Sequence, residues 1–318
     1  MSGPTWRPLA GPALLERLRV TGRPRPSTDP SLGTDLRYLL ESALGDLPAA
    51  GAASNDDHLV LTKDRLTRAL SCPVHRTVDR FGERSFTIPL ACGVLIDTLF
   101  RQITTVGSVG DPMTDAIDSL MLDEREAPLV AWIDELAPVD RAELRSEVDR
   151  QTEALAARWP LFEASWLPRT QESMRAVLAG GAVELSARVD LAVGRPAEDE
   201  ASVAIVEVKS GIRRLTHRDD LRFYALVEAL RSPAPPFAVA TYYSRTGELD
   251  VEPVTNEILF EAARRCAAGF RLLDGRASAT HDNAWCSACA ALPPALVPTC
   301  APPPQVESVV AFPHGRAA

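Results

Sequence analysis

The residues best suited to chemistry lie on two neighbouring strands of the predicted fold. Residues 188–193 and 203–208 are apolar, β-branched runs of strand length, and the segment between them has loop chemistry. Glu207 and Lys209 are two positions apart on the second strand, so both side chains leave the same face. Asp190 on the first strand can face the same point. Two carboxylates and an ammonium group that converge there predict a site for Mg²⁺ or Mn²⁺.

A metal ion in such a site would supply a defined chemistry. It can polarise a phosphoryl oxygen and activate a water molecule, and Lys209 can orient that water or neutralise charge on the phosphate. The alternative is a solvated sheet face, where an acid and a lysine are common. However, residues 203–206 are all apolar, which predicts a strand buried on both faces. An unpaired charge at the end of such a strand is costly, so it needs a partner or a function.

The order of the segments resembles that of a known family. Arg-Val-Asp at 188–190 and Val-Glu-Val-Lys-Ser-Gly at 206–211 precede a predicted helix with Leu-x-x-Tyr-Ala at 221–225. This order resembles the PD-(D/E)XK nuclease superfamily, above all its RecB-type branch, which includes the iron–sulfur exonucleases of CRISPR and recombination systems. The resemblance implies an α/β fold with a restriction-endonuclease-like core, in which helices flank a mixed central sheet. It also implies a metal-dependent DNA nuclease of repair, recombination or phage defence.

The resemblance assigns roles to individual positions. The catalytic residues would be Asp190, Glu207, Lys209, Asp220 and Tyr224. The ligands of Mg²⁺ or Mn²⁺ would be Asp190, Glu207, Val208 and Asp97.

Three positions depart from the usual pattern of the family. Asp97 stands where many members have a His, Asp220 where they usually have a Gln, and Ala187 where they often have a Gly. Aspartate can ligate Mg²⁺ equally well, so the departure at Asp97 does not exclude the predicted site. The alternative is that Asp97 is a polar residue at the rim of a helix. The departures motivate the alternative that the chain is a catalytically inactive nuclease-fold subunit, which binds DNA or serves as a scaffold in a larger complex.

Four cysteines form a second candidate site. Cys286 and Cys289 are a Cys-x-x-Cys pair, Cys300 follows after ten intervening residues, and Cys72 precedes a proline at the end of a short predicted helix. Clustered thiols in a cytosolic chain favour metal binding over disulfides. Four thiolates can hold a [4Fe–4S] cluster or Zn²⁺, and a redox dithiol is a further alternative. In the iron–sulfur members of the resembled family one early and three late cysteines hold the cluster, although the last usually lies closer to the pair.

Charge does not by itself indicate a nucleic-acid partner. The chain has 318 residues, 46% of them hydrophobic, and a net charge of −9. Near the predicted site, however, lie arginines that could contact a phosphate backbone. These predicted DNA-binding residues are Arg213, Arg214, Arg218 and Arg222. The alternative is a solvated helix face.

The sequence also predicts the organisation of the chain. The predicted units are an N-terminal helical and linker segment (1–58), a nuclease domain (59–300) and a flexible Pro-rich tail (301–318). The nuclease domain would contain a helical insertion at about 108–160 and a cysteine clasp at 285–300. Helices are expected at 34–47, 93–105, 140–158 and 256–273, and strands at 173–178, 183–193, 237–243 and 249–254.

The sequence predicts neither a membrane span nor a signal peptide. No stretch approaches the roughly 18 continuous apolar residues of a membrane span, and the first residues lack the charged-then-apolar order of a signal peptide. The expected location is therefore the cytoplasm, with no membrane partner. DNA is the expected partner, and relatives of the resembled family often act with a helicase or another subunit.

Overall fold

The strands form where apolar β-branched runs meet turn residues, and the helices form where apolar residues recur at helical spacing. The computed structural model describes residues 12–44, 59–71, 86–195, 199–214 and 216–273. Its helices are α1 (Pro12–Leu18), α2 (Leu32–Leu44), α3 (Lys63–Ser71), α4 (Ile88–Val106), α5 (Pro112–Leu120), α6 (Ala127–Asp134), α7 (Pro138–Arg158), α8 (Thr216–Arg231) and α9 (Asn256–Leu273). Its strands are β1 (Leu59–Leu61), β2 (Pro168–Leu178), β3 (Val183–Gly194), β4 (Val203–Lys209), β5 (Ala238–Tyr243) and β6 (Glu248–Pro253).

The strands make one mixed sheet. Their order is β1-β3-β4-β5-β6, and β2 pairs with β3 outside this path. The pairs β2–β3, β3–β4 and β5–β6 are antiparallel, whereas β1–β3 and β4–β5 are parallel. The prediction of an α/β fold with a mixed sheet flanked by helices is therefore confirmed.

Both faces of the sheet are covered by apolar side chains. Val203 and Ile205 of β4 pack into one hydrophobic cluster with residues of α2, α8 and α9. Ala204 and Val206 pack into another, with residues of α1, α4 and α7. This two-sided burial confirms the interpretation of 203–206 as a buried strand, and its alternation places Glu207 on the side of α8.

The sheet opens along one edge of β3. Strand β2 pairs with β3 along nearly its whole length, from Pro168↔Val193 to Leu178↔Val183. A strand has only two edges, so β1 and β4 share the other one: β1 pairs with residues 183–185 and β4 with residues 191–194. Residues 186–190 lie between these two pairings. The end of β4 and the start of α3, which follows β1 directly, both reach this opening.

The long helix α4 begins earlier than expected. It was predicted over 93–105 and extends over Ile88–Val106. Thr87 has an extended backbone and its hydroxyl accepts a hydrogen bond from the Leu90 amide, while Pro89 suits the first turn. The helix ends at Gly107, whose φ of 89° lies in the left-handed region that glycine tolerates. Capping residues rather than apolar periodicity thus set both ends.

Several predicted features lie outside the described residues. They include residues 1–11 and 45–58 of the N-terminal segment, the clasp at 285–300 with Cys286, Cys289 and Cys300, the fourth cysteine Cys72, and the tail at 301–318. Among the described residues, no helix combines the length and the apolar character needed to cross a membrane.

Candidate active site

The opening in the sheet brings together charged side chains from five elements. Glu207 and Lys209 stand at the end of β4, as predicted, and the Lys209 ammonium donates to Glu207 Oε1 at 2.8 Å. A second ammonium, that of Lys63 on the first turn of α3, donates to the same oxygen at 2.6 Å. Sequence reasoning did not select Lys63, because it is separated from β4 by more than 140 positions and follows no motif of its own.

Glu207 is a buried carboxylate held as an anion. Its exposed fraction is 4%. Burial raises the pKa of Glu207, but the charges of Lys209 and Lys63 outweigh burial and leave that pKa below its usual value. Glu207 Oε2 is also buried, and among the described residues it has no hydrogen-bond partner. A buried carboxylate oxygen without a donor is costly and indicates a place for a positively charged or donating group.

Asp190 lies beside Glu207 on the neighbouring strand. Its Oδ2 accepts a hydrogen bond from the Val208 amide at 2.7 Å. The regular pairing of β3 with β4 ends at Leu191 and Val206, so the Asp190 side chain binds a backbone amide of β4 just beyond that pairing. Burial raises the pKa of Asp190 well above its usual value, and the negative charges of Glu207 and Asp97 raise it further. The close carboxylates therefore repel one another in the absence of a cation.

An irregular residue on β2 faces Asp190. The β2–β3 register puts Gln171 opposite Asp190, between the pairs Thr170↔Leu191 and Glu172↔Val189. These two flanking pairs form, whereas Gln171 and Asp190 do not pair. Gln171 has a φ of 53°, an uncommon backbone conformation for a residue with a Cβ. Such interruptions re-aim side chains in a sheet. Nothing in the residue pattern of β2 signals the irregularity, so sequence reasoning missed it.

Asp97 approaches the same opening from helix α4. This helix passes the end of β4 at Gly93, where an added Cβ would lie 3.3 Å from the Ser210 hydroxyl. The Gln171 side-chain amide donates to Oδ1 and Oδ2 of Asp97 at 3.1 and 3.2 Å. Burial raises the pKa of Asp97 despite the nearby Arg101. Asp97 is therefore a third carboxyl group at the opening, but both of its oxygens accept from the Gln171 amide.

Helix α8 supplies the two remaining predicted residues. The Tyr224 hydroxyl lies 3.5 Å from Glu207 Oε1. Asp220 Oδ2 lies 3.7 Å from the Lys209 ammonium and 4.0 Å from that of Lys63. Burial raises the pKa of Asp220 although both lysines lower it. The predicted catalytic set thus lies in one place, with Asp220 and Tyr224 behind the two lysines.

Two carboxyl groups of the site have oxygens that fit a divalent cation. Among the described residues, no three His, Cys, Asp or Glu side chains are arranged to hold a metal ion. The best-placed oxygens are those of Asp190 and Glu207, because Glu207 Oε2 lacks a donor and the charge of Glu207 raises the pKa of Asp190. Carboxylate oxygens are suitable ligands for Mg²⁺ or Mn²⁺. These two residues fit such an ion, and Asp97 would need to release Gln171 to join them.

A cavity of about 240 Å³ gives access to this cluster. Its walls include Asp97, Val208 and Lys209, together with Arg214 and His217. Burial, together with the charges of Lys209 and Arg214, lowers the pKa of His217 to about 4, so this imidazole is neutral at pH 7. The lining of the cavity thus combines the Asp97 carboxyl group with the basic side chains of Lys209 and Arg214, a distribution that suits a phosphate next to a metal ion.

The four predicted DNA-binding arginines differ in their surroundings. Arg213 and Arg218 both contact the Asp250 carboxylate, and Arg222 makes two hydrogen bonds with Glu252 at 2.7 and 3.0 Å. Arg214 is exposed, and the described residues provide no carboxylate partner for it. Only Arg214 therefore combines a position at the cavity with an uncompensated charge.

Two cysteines of the described residues are buried free thiols. Cys92 lies on α4 and Cys266 on α9. Burial raises the pKa of Cys92 to about 11 and that of Cys266 to about 12, so neither is a reactive thiolate at neutral pH.

Comparison with known proteins adds little to this geometry. No family model matches the chain, and no curated protein matches it. One of the solved structures that it matches is the crystal structure of SSO0001, with a TM-score of 0.30 and 10% sequence identity over 82% of this chain and 97% of that chain. The residues of the site itself are therefore the basis for inferring a function.

Proposed function

We propose that this chain is a metal-dependent nuclease that hydrolyses phosphodiester bonds in DNA, built on a restriction-endonuclease-like core of the PD-(D/E)XK superfamily. The observation that supports it most is the surroundings of Glu207: Oε1 accepts a hydrogen bond from the Lys209 ammonium, and the buried Oε2 has no hydrogen-bond donor among the described residues. A carboxylate pair with an adjacent ammonium is a suitable arrangement for phosphoryl chemistry. DNA repair, recombination and phage defence are the processes in which such an activity would serve.

Each residue has a role in this proposal. Asp190 and Glu207 would hold Mg²⁺ or Mn²⁺, which when bound would polarise a phosphoryl oxygen and lower the pKa of a water molecule. Lys209 lines the cavity and would orient the attacking water or neutralise charge that develops on the phosphate. Arg214 would bind a neighbouring phosphate of the DNA strand. Tyr224 and Asp220 hold the lysines in place.

The cysteine clasp belongs to the same proposal. Cys72, Cys286, Cys289 and Cys300 would bind a [4Fe–4S] cluster that joins α3 to the C-terminal part of the chain, with Zn²⁺ as the alternative metal. A helicase or another nuclease-complex subunit is the partner that this reading proposes besides DNA.

A second candidate function has one observation in its favour. The described residues contain no three-ligand metal group, and Gln171 occupies Asp97. A nuclease-fold subunit that binds DNA without cutting it would have no need of a complete metal site. The retention of Asp190, Glu207 and Lys209 together favours the enzyme, since a buried acid and lysine are costly to keep without use.

A cleavage assay on labelled single- and double-stranded DNA tests the proposal. Wild type with Mn²⁺ or Mg²⁺ is expected to cut, and EDTA to abolish cutting. Glu207→Gln keeps the size of the side chain but removes the charge that would bind the metal, so cleavage should fall by at least about 100-fold. Glu143→Gln, at an exposed position of α7, is the matched control and should cut as wild type does. DNA binding without metal-dependent cutting by wild type would instead favour the non-catalytic subunit.

A further inference from the structure

We propose that Lys63 is a positioning residue, which holds Glu207 ready for the metal and thereby leaves Lys209 available for the substrate. This inference rests on the proposed nuclease function and assigns a separate task to a residue on α3. It is drawn from the contacts of Lys63, since no motif in its segment suggests a role.

Lysine is used in this chain only at this site. The sequence contains 34 Lys and Arg residues, and only Lys63 and Lys209 among them are lysines. The two lysines donate to the same oxygen, Glu207 Oε1. Arginine is the usual cation for fixed surface and interface ion pairs, whereas lysine is a compact charge on a flexible stem. Two compact ammonium groups can thus approach the same carboxylate oxygen.

Lys63 is held from three sides. Its ammonium lies 2.6 Å from Glu207 Oε1, 4.0 Å from Asp220 Oδ2 and 5.1 Å from the centre of the Tyr224 ring. The ring adds a cation–π contact to the two carboxylates. These contacts make Lys63 a fixed counter-ion of Glu207.

Lys209 shares the two carboxylate partners of Lys63 but has different surroundings. It lies 2.8 Å from Glu207 Oε1 and 3.7 Å from Asp220 Oδ2, and it also lines the cavity with Arg214. Lys63 is not among the residues that line this cavity. A phosphate that entered would therefore meet Lys209 first.

The pair of lysines solves an electrostatic problem. If Lys209 turned to a phosphate and Glu207 had no other cation, a buried carboxylate would lose its counter-ion, which is strongly unfavourable. Lys63 prevents this by keeping its contact with Oε1. It also fixes the carboxylate so that Oε2, which has no donor among the described residues, stays turned toward the metal position beside Asp190.

Binding of Mn²⁺ alone, measured by calorimetry, tests this role without any cleavage. Lys63→Met removes the charge at nearly constant length and should weaken Mn²⁺ binding by about tenfold or more, as for other residues that orient a metal ligand. Lys63→Arg should recover most of the affinity. Lys209→Met should bind Mn²⁺ within about threefold of wild type and lose cleavage, because its task concerns the substrate. Unchanged Mn²⁺ binding by Lys63→Met would overturn the proposal.

The small number of lysines allows a second measurement on the wild-type protein. Lysine labelled with ¹³C at Cε should give two resonances, and Lys63→Met assigns them. Addition of a cleavage-resistant phosphorothioate oligonucleotide with diamagnetic Mg²⁺ should shift the Lys209 resonance and leave that of Lys63 nearly unchanged. A larger shift of Lys63 would contradict the division of roles. Absence of any Mn²⁺ binding by wild type would instead overturn the proposed function, and this inference with it.

Discussion

Arg214 and Arg222 carry the same charge, yet their surroundings differ. Arg222 forms a two-pronged pair with Glu252 and a further contact with Glu261 at 3.2 Å. Arg214 is exposed at the cavity. A charge that already has partners gains little from a phosphate, whereas an uncompensated one gains counterion release on binding.

Replacement of each arginine by alanine should therefore affect different properties. Arg214→Ala is expected to weaken DNA binding about uniformly across sequences and to reduce the slope of log affinity against log salt by about 1. Arg222→Ala is expected to lower the free energy of unfolding by about 1–2 kcal/mol and to change DNA affinity little. Salt-titrated binding assays and urea unfolding distinguish the two. An equal loss of DNA affinity in both variants would count against the assigned roles.

At the scale of elements, helix α7 fixes the end of β4. Gln151 of α7 is 1% exposed, and its amide donates to the Ser210 carbonyl at 3.3 Å. The hydroxyl of Ser244, which follows β5, donates to Gln151 Oε1. The backbone amide of Ser244 donates to the Lys209 carbonyl at 3.1 Å. The helices before the catalytic strands thus hold the backbone that carries Lys209. This connection gives the predicted helical insertion a structural task at the site.

Gln151→Leu should show the importance of this connection. The change leaves the Ser244 hydroxyl and the Ser210 carbonyl without their partner, so the free energy of unfolding should fall by about 2 kcal/mol. Because the Lys209–Ser210 backbone loses an anchor, cleavage should fall by roughly ten- to a hundredfold. Glu153→Gln, exposed on the same helix, should stay within about 0.5 kcal/mol of wild type. Cleavage by Gln151→Leu at the wild-type rate would show that α7 does not position the site.

At the scale of the whole molecule, a chain of net charge −9 would need a local positive surface for the proposed binding of DNA. The fold of the whole chain also depends on the contacts that join segments distant in sequence. The proposed clasp would connect the end of α3, whose first turn carries Lys63, to the region after α9. The metal content of the purified protein is therefore a whole-molecule property.

Metal analysis of anaerobically purified protein tests the clasp. Wild type is expected to contain about four iron atoms per chain, because four thiolates hold one [4Fe–4S] cluster. Cys289→Ala should lose most of this iron, whereas Cys266→Ala, at a buried free thiol on α9, should keep it. Zinc in place of iron would support the alternative metal. If neither metal were present in wild type, the clasp would be wrong.

The local pattern of the chain was sufficient for much of the framework. The apolar run of β4 predicted a strand buried on both faces, and period 2 placed Glu207 and Lys209 together, as the structure shows. The helix over 256–273 was also predicted with its observed bounds. These features could be predicted because alternation and helical spacing act over a few residues, and both depend only on which side of an element is buried.

What only the tertiary structure decided are the contacts between segments distant in sequence. Lys63 reaches Glu207 because β1 pairs in parallel with β3 and delivers α3 to the opening in the sheet. Gln171 meets Asp97 because β2 is irregular opposite Asp190. No local pattern encodes such meetings, since strand pairing and helix packing are settled by the burial of the whole chain. The sequence by itself thus determined which residues could do chemistry, and the tertiary structure decided which of them share partners.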